Sequence, residues 1–422
     1  MNCTVAMKYN MNLRIKTKRK VDILNFFMLL SMLLIGSEIW SIEIAGFPFR
    51  ISFVVLAITM LLLAYKKHYK VSKQLLLFTF IIFFTFSAIA SIDRFLSFVY
   101  VLYLLFSVFA VFYVFYSYII FRGQKSFFKL LRKTLYIQAM LLVAQFFIEL
   151  LLGYQIPFFS TGTHLGIPRP AIWFYETSFF ATYFSFWLIM SYYMYFIKKQ
   201  KDFLLDAGLS TVAIIFATAT VGYLAIAFAV AFVMLIALKR GRLKLILQFM
   251  IISTIMAGLF FLFMPNVANL FVMRLFDANL NAATGGRIAN NFISWEVFLR
   301  NPFFGVGPNA YWRYFNTARY HVPANITLEL LATTGFFATI LFYLFIFALL
   351  WEAYKASKLC RGRQRGYIIA SILGIILFMT LLQVNQGYLR PYMWMLLGVL
   401  AGQTVYAKNI YRQKNNGRRV VR

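Results

Sequence analysis

Two stretches of this chain hold residues able to do chemistry. The longer, from Gly285 to Gly335, carries Arg287, Arg300, Arg313 and Arg319 beside Trp295, His321 and Glu329. The shorter sets Arg169 between Pro168 and Pro170 and brings Glu176 in soon after, at the start of an apolar run. Arginine presents a planar, permanently charged donor fork that matches phosphate oxygens. A histidine or carboxylate beside such a fork can take a proton from a hydroxyl. The arginines therefore suit a lipid-linked diphosphate, and the bases suit a sugar hydroxyl. There is no Asp-x-Asp, no His-x-x-x-His, no lysine-bearing phosphate loop and no Gly-x-Ser-x-Gly. The expected chemistry is metal-independent and needs no cofactor.

Each of these residues also has a plainer reading. Glu176 is suited to the N-terminus of a helix, where the dipole favours a carboxylate, and Arg169 to anchoring at a membrane interface. His321 is suited to an exposed loop. Pro323 is a good first residue for the next helix, which puts Asn325 and Glu329 one turn apart on one face. A carboxylate at that depth is costly without a partner, so an arginine partner is expected, and Arg390, just before Pro391, is a further candidate. After Arg287, apolar residues at 288, 292, 295, 298 and 299 predict a short amphipathic helix at the interface. Asn301-Pro302 then turns the chain. Gly305-Val306-Gly307 lets backbone approach something closely, an anion on exposed amides being one possibility. The Thr218–Gly222 turn reads best as close packing through small residues.

The elements that must position these groups are membrane helices. Of 422 residues, 62% are hydrophobic and 13% charged, more apolar surface than a soluble chain of this length needs. Apolar runs long enough to cross a bilayer lie near 22–40, 49–65, 74–92, 96–121, 134–153, 176–197, 203–219, 221–238, 244–263, 324–350, 366–385 and 390–407, about twelve in all. The expected fold is all-α: a single polytopic transmembrane domain over 1–422, with an outer loop at 154–175 and a long outer loop at 264–323. Basic clusters fall in alternate loops, which places both termini in the cytoplasm. On that map every lysine is cytoplasmic, and the outer side carries only arginine: Arg50, Arg94, Arg169, Arg274, Arg287, Arg300, Arg313, Arg319 and Arg390. The net charge of +30 is thus a topology signal with some attraction to anionic lipid, and nucleic acid is not implied. Cys3 and Cys360 have neither metal nor disulfide spacing.

These motifs resemble the O-antigen ligase and O-antigen polymerase superfamily. The matching pieces are Thr218–Gly222, Gly286-Arg287, Trp295, the run Asn301-Pro302-Phe303-Phe304-Gly305-Val306-Gly307-Pro308-Asn309, and Asn325 through Leu331-Ala332-Thr333-Thr334-Gly335. Arg169 with Glu176-Thr177-Ser178 resembles an upstream motif of the polymerase branch. Where the family has His-Asn, this chain has Ala324-Asn325, with His321 a little earlier. The resemblance implies a multi-pass enzyme of the bacterial cytoplasmic membrane that transfers saccharide from a polyprenyl-diphosphate-linked oligosaccharide at the outer face. The product would be O-antigen, capsule or exopolysaccharide. A polymerase is favoured by the Glu176 motif and the absent His-Asn; a ligase is the alternative, and a lipid-linked oligosaccharide flippase the rival of another class. Implied partners are the lipid-linked substrate, membrane lipid, and a chain-length regulator and flippase of the same pathway. The candidate bases are His321, Glu176 and Glu329. Candidate substrate-binding residues are Arg169, Arg287, Arg390, Arg313, Arg319, Trp295, Asn301, Gly305, Gly307 and Asn325.

Overall fold

The computed structural model describes residues 22–44, 47–72, 74–164, 167–239, 287–314, 325–385 and 387–420, with a few isolated positions besides. Its frame is helical: α1 (Ile23–Leu33), α2 (Ile51–Tyr65), α3 (Leu75–Ile89), α4 (Arg94–Phe106), α5 (Tyr113–Leu152), α6 (Thr177–Tyr192), α7 (Leu204–Phe216), α8 (Thr220–Lys239), α9 (Arg287–Arg300), α10 (Tyr311–Tyr314), α11 (Ile326–Leu359), α12 (Gly362–Leu381) and α13 (Pro391–Val420). Among the described residues, four helical stretches are long and apolar enough to cross a membrane: Arg94–Leu152, Thr220–Lys239, Ile326–Leu359 and Gly362–Leu381. With the resemblance, this is a multi-pass membrane protein. Helices also lie at the other expected spans, except 244–263, most of which is outside the described residues.

Two small hairpins interrupt the all-α expectation. β1 (Ser41–Ile44) pairs antiparallel with β2 (Phe47–Arg50), and β3 (Ser160–His164) with β4 (Ile167–Ile172). The segments leading into them meet at one end of the bundle, where the Trp40 indole N–H donates to the Phe158 carbonyl at 2.9 Å. The expected loop at 154–175 is therefore largely a strand pair. Its proline-rich run, Ile167-Pro168-Arg169-Pro170, supplies extended backbone that a helix could not.

At the centre stands α6, buried at every residue from Thr177 to Tyr192, so its sequence is apolar or small on all sides. α7, α8 and α12 surround it. Close approach recurs through glycine: a Cβ on Gly222 would lie 2.7 Å from Ile214, so the Thr218–Gly222 turn does pack tightly. On α13, Gly398 and Gly402 lie one turn apart and face the backbone of Phe112 and Tyr116, the small-residue spacing of membrane helix pairs. The basic run at 122–133, expected as a connector, is helical instead. α5 absorbs it with a single break at Gly123, φ 81°. At the end of the bundle away from the hairpins, Arg132 binds Asp206 at 2.9 Å and Asp202 at 3.5 Å, and Arg363 also pairs with Asp202, tying α5, α7 and α12 together.

Candidate active site

At the hairpin end the chain buries an ion cluster that starts from Glu38. This carboxylate lies between α1 and β1, with its side chain 2% exposed. Oε1 accepts from Arg50 at 3.3 Å and also from Arg390. Oε2 accepts the Tyr175 amide at 3.2 Å, and the Glu38 amide donates to the Trp173 carbonyl at 3.0 Å. Each arginine is fixed a second time. The Arg390 guanidinium lies 3.6 Å from the centroid of the Phe179 ring, and Arg50 sits 5.6 Å from that of Tyr103 and 5.9 Å from that of Phe53. Two guanidiniums share one carboxylate, leaving one excess positive charge in a sheltered place where electrostatics are weakly screened.

That cluster opens on a cavity of about 180 Å³ lined by Arg50, Arg390, Glu329, Asn309, Tyr100 and Tyr103, among others. Glu329 comes from the first turn of α11 and faces the Gly387 amide, which donates to its carboxylate. Among the described residues Glu329 Oε2 and Arg50 Nε have no hydrogen-bond partner. The arginine expected for Glu329 is thus present in its cavity as Arg390, but Arg390 makes its direct ion pair with Glu38. Glu38 and Arg50 were not singled out in the sequence. They lie more than 300 positions from Arg390, and only their place among the outer charges hinted at them.

The glycine-rich run contributes Asn309 to this cavity and is itself held by backbone contact. Gly335 breaks α11 with φ 75° and ψ −177°, which frees carbonyls just before it. The Val306 amide donates to Ala332 at 3.0 Å, the Gly307 amide to Thr333 at 2.9 Å, and the Phe336 amide to Pro302 at 2.8 Å. Gly305 and Gly307 have φ of 66° and 104°, and a Cβ on either would strike neighbouring atoms. Ser97 donates to the Pro308 carbonyl at 2.9 Å and Ser91 to Val306 at 3.1 Å. Gly305 lets the backbone approach the broken helix, and Gly307 lets it approach the Ser91 and Ser97 side chains. The Gly305 amide itself bonds the Asn301 carbonyl at 3.0 Å. Asn309 is carried to the cavity at the end of this run.

A second cavity, about 300 Å³, lies under the β3–β4 hairpin and is lined by Arg169, Glu176, Thr177, Ser178, Thr161 and Tyr175 among others. Arg169 donates to Thr177 Oγ1 at 3.0 Å, and Ser178 to Glu176 Oε2 at 3.0 Å. Glu176 is exposed and caps α6 by position. α5 holds the hairpin through Gln145 and the buried Glu149, which accepts Thr161 at 2.7 Å. The Thr218 hydroxyl donates to the Pro168 carbonyl at 3.3 Å, so the small-residue turn also braces Arg169's strand. Tyr175 belongs to both places, lining this cavity and bonding Glu38.

The remaining sequence candidates scatter. Asn325 caps α11, accepting Thr327 at 2.8 Å and Leu328 at 3.1 Å while donating to Gln383 at 2.9 Å. Arg313 pairs with Asp93 at 2.9 Å. α9 turns Ser294 and Val297 inward against α11 and leaves Phe292, Trp295 and Leu299 exposed, an amphipathic helix as expected. Ser294 hydrogen-bonds Tyr311 at 3.0 Å; burial pushes that phenol above its ordinary pKa, so it stays neutral. Arg287 opens α9, but its side chain lies outside the described residues, as do His321 and Arg319.

Residues 207–343 match the family model described as O-antigen ligase. That stretch contains the Thr218–Gly222 turn, the Asn301–Asn309 run and the Asn325–Gly335 helix start, so the similarity covers the motifs read from the sequence. The fold is that of a helical, multi-pass membrane protein, and its matched residues are similar to the O-antigen ligase family. No curated protein matches the chain. Glu38, Arg50, Arg169, Glu176 and Arg390 lie outside the matched residues, whereas Glu329 and Asn309 lie inside them.

Proposed function

We propose that this protein is a metal-independent polymerase that joins polyprenyl-diphosphate-linked repeat units into a surface polysaccharide at the outer face of the bacterial cytoplasmic membrane. The observation that carries the reading is the cavity in which Arg50 and Arg390, both held by Glu38, face Glu329. In the reaction an acceptor hydroxyl oxygen forms a bond to the anomeric carbon of the donor saccharide. The bond from that carbon to the diphosphate oxygen breaks, and the electron pair leaves with the polyprenyl diphosphate. Fixed guanidiniums stabilise the charge that develops on this leaving group. The hydroxyl proton passes to a carboxylate or imidazole. Of the candidate bases, Glu329 shares a cavity with Arg390, and Glu176 shares one with Arg169; His321 is the third candidate. Arg169, Arg287, Arg313, Arg319 and Trp295 are proposed for the rest of the lipid-linked substrate. Asn301, Gly305, Gly307 and Asn325 contribute by holding the frame.

Polymerase is favoured over ligase by Arg169 and Glu176 lining one cavity and by Ala324 standing where the family has histidine. Gel analysis of surface polysaccharide in a deletion strain tests the proposal. Single repeat units at the surface with long chains lost is the expected result. Long unattached chains would mean a ligase, and repeat units trapped on the inner leaflet a flippase.

A further inference from the structure

The cavity beside Glu38 has two chemically different walls, and the proposed function uses only one. Beside the charged groups stands α4, whose Tyr100 and Tyr103 both line the cavity. Their rings stack at 6.2 Å between centroids, with 22° between planes. Tyr103 is 3% exposed and braced from behind by Phe53, edge-on at 5.3 Å. It also carries the Arg50 guanidinium 5.6 Å from its ring centroid. Tyr100 is only half-buried. The result is a supported aromatic surface joined to the cationic end through one shared ring.

An aromatic face is electron-rich, and the C–H groups on one face of a pyranose are weakly electropositive, so the two pack together. Polar groups in such a cavity can orient a sugar: Asn309 and Glu329 line it, and the buried Glu329 Oε2 has no partner among the described residues. A bare diphosphate has no use for such a wall, and an acyl or prenyl tail has no use for the charged rim. The ligand that uses both ends is a pyranose attached directly to a diphosphate.

We propose that Tyr100 is a saccharide platform that seats the first sugar of the donor, the one bonded to diphosphate, with Tyr103 as its positioning residue. This rests on the diphosphate reading above and extends it to the sugar. The test measures binding to the purified full-length protein in lipid nanodiscs. One probe is undecaprenyl diphosphate; the other is undecaprenyl diphosphate bearing the repeat unit, extracted from the deletion strain. Replacing Tyr100 by leucine (Tyr100→Leu) is expected to weaken binding of the glycosylated lipid roughly three- to tenfold. Binding of undecaprenyl diphosphate should stay unchanged, which also reports that the variant is folded. Tyr100→Phe, keeping the ring and losing only the hydroxyl, should bind both lipids like the wild type. Equal affinities of wild type and Tyr100→Leu for the glycosylated lipid would overturn the platform while leaving the diphosphate site standing. Failure of the wild type to bind either lipid would overturn both.

Discussion

At residue scale Glu38 fixes the geometry of the two guanidiniums proposed to meet the diphosphate. Two guanidiniums that would repel one another are held together by its one carboxylate, with its side chain almost wholly out of solvent. Glu38→Gln would take away the carboxylate that ion-pairs with both, and a loss of roughly 3 kcal/mol of stability is expected. Thermal unfolding in detergent checks this; an unchanged midpoint would deny Glu38 its organising role. Arg390→Lys keeps the charge but loses the planar fork and the stacking on Phe179. Elongation should slow roughly a hundredfold, and a rate near wild type would exclude Arg390 from the leaving-group site. Glu329→Gln preserves shape and removes the proton acceptor. Lipid binding should persist while elongation falls by at least about a hundredfold, and unimpaired elongation would pass the base role to Glu176 or His321.

At the scale of elements, the site depends on a helix that is broken on purpose. α11 stops its hydrogen-bond ladder at Gly335 so that the Pro302–Gly307 backbone can complete it, and this docking carries Asn309 to the cavity alongside Glu329. Gly335→Ala meets both a positive φ and the Phe303 carbonyl. A loss above about 1–3 kcal/mol is expected, since the backbone strain is joined by a clash. Gly153→Ala is the control, because its φ of 64° is similar but nothing lies within 4 Å of the added Cβ. Equal melting temperatures for the two variants would mean the docking contributes nothing. The sequence made half of this legible. The Asn301–Asn309 and Leu331–Gly335 motifs stood out, and a close backbone approach was expected at Gly305 and Gly307. The thing approached was not readable, because only folding brings one glycine motif against another. The β-hairpins were hidden for a different reason: both lie in stretches that read as connectors between spans, too short and mixed in character to announce a strand pair.

For the whole molecule, apolar runs made the helical frame legible, and helices lie at most of the expected positions, four of the described stretches being long and apolar enough to cross a membrane. The pairing of Glu38 with Arg50 and Arg390 was not legible, since those residues come from opposite ends of the chain and each reads alone as an interfacial charge. Sidedness has its own test. Arg300→Cys, in a chain whose Cys3 and Cys360 are replaced by serine, puts a thiol at an exposed position beside Asn301. A membrane-impermeant maleimide applied to intact spheroplasts should label it; labelling only after lysis would put the site on the wrong side for the proposed substrate. The most direct measurement is elongation by the purified protein in liposomes, supplied only with lipid-linked repeat units from the deletion strain. The expected result is a ladder of longer glycans, with one undecaprenyl diphosphate released for each bond formed. Movement of the lipid between leaflets with no ladder and no released diphosphate would contradict the assignment of glycosyl transfer to this cavity.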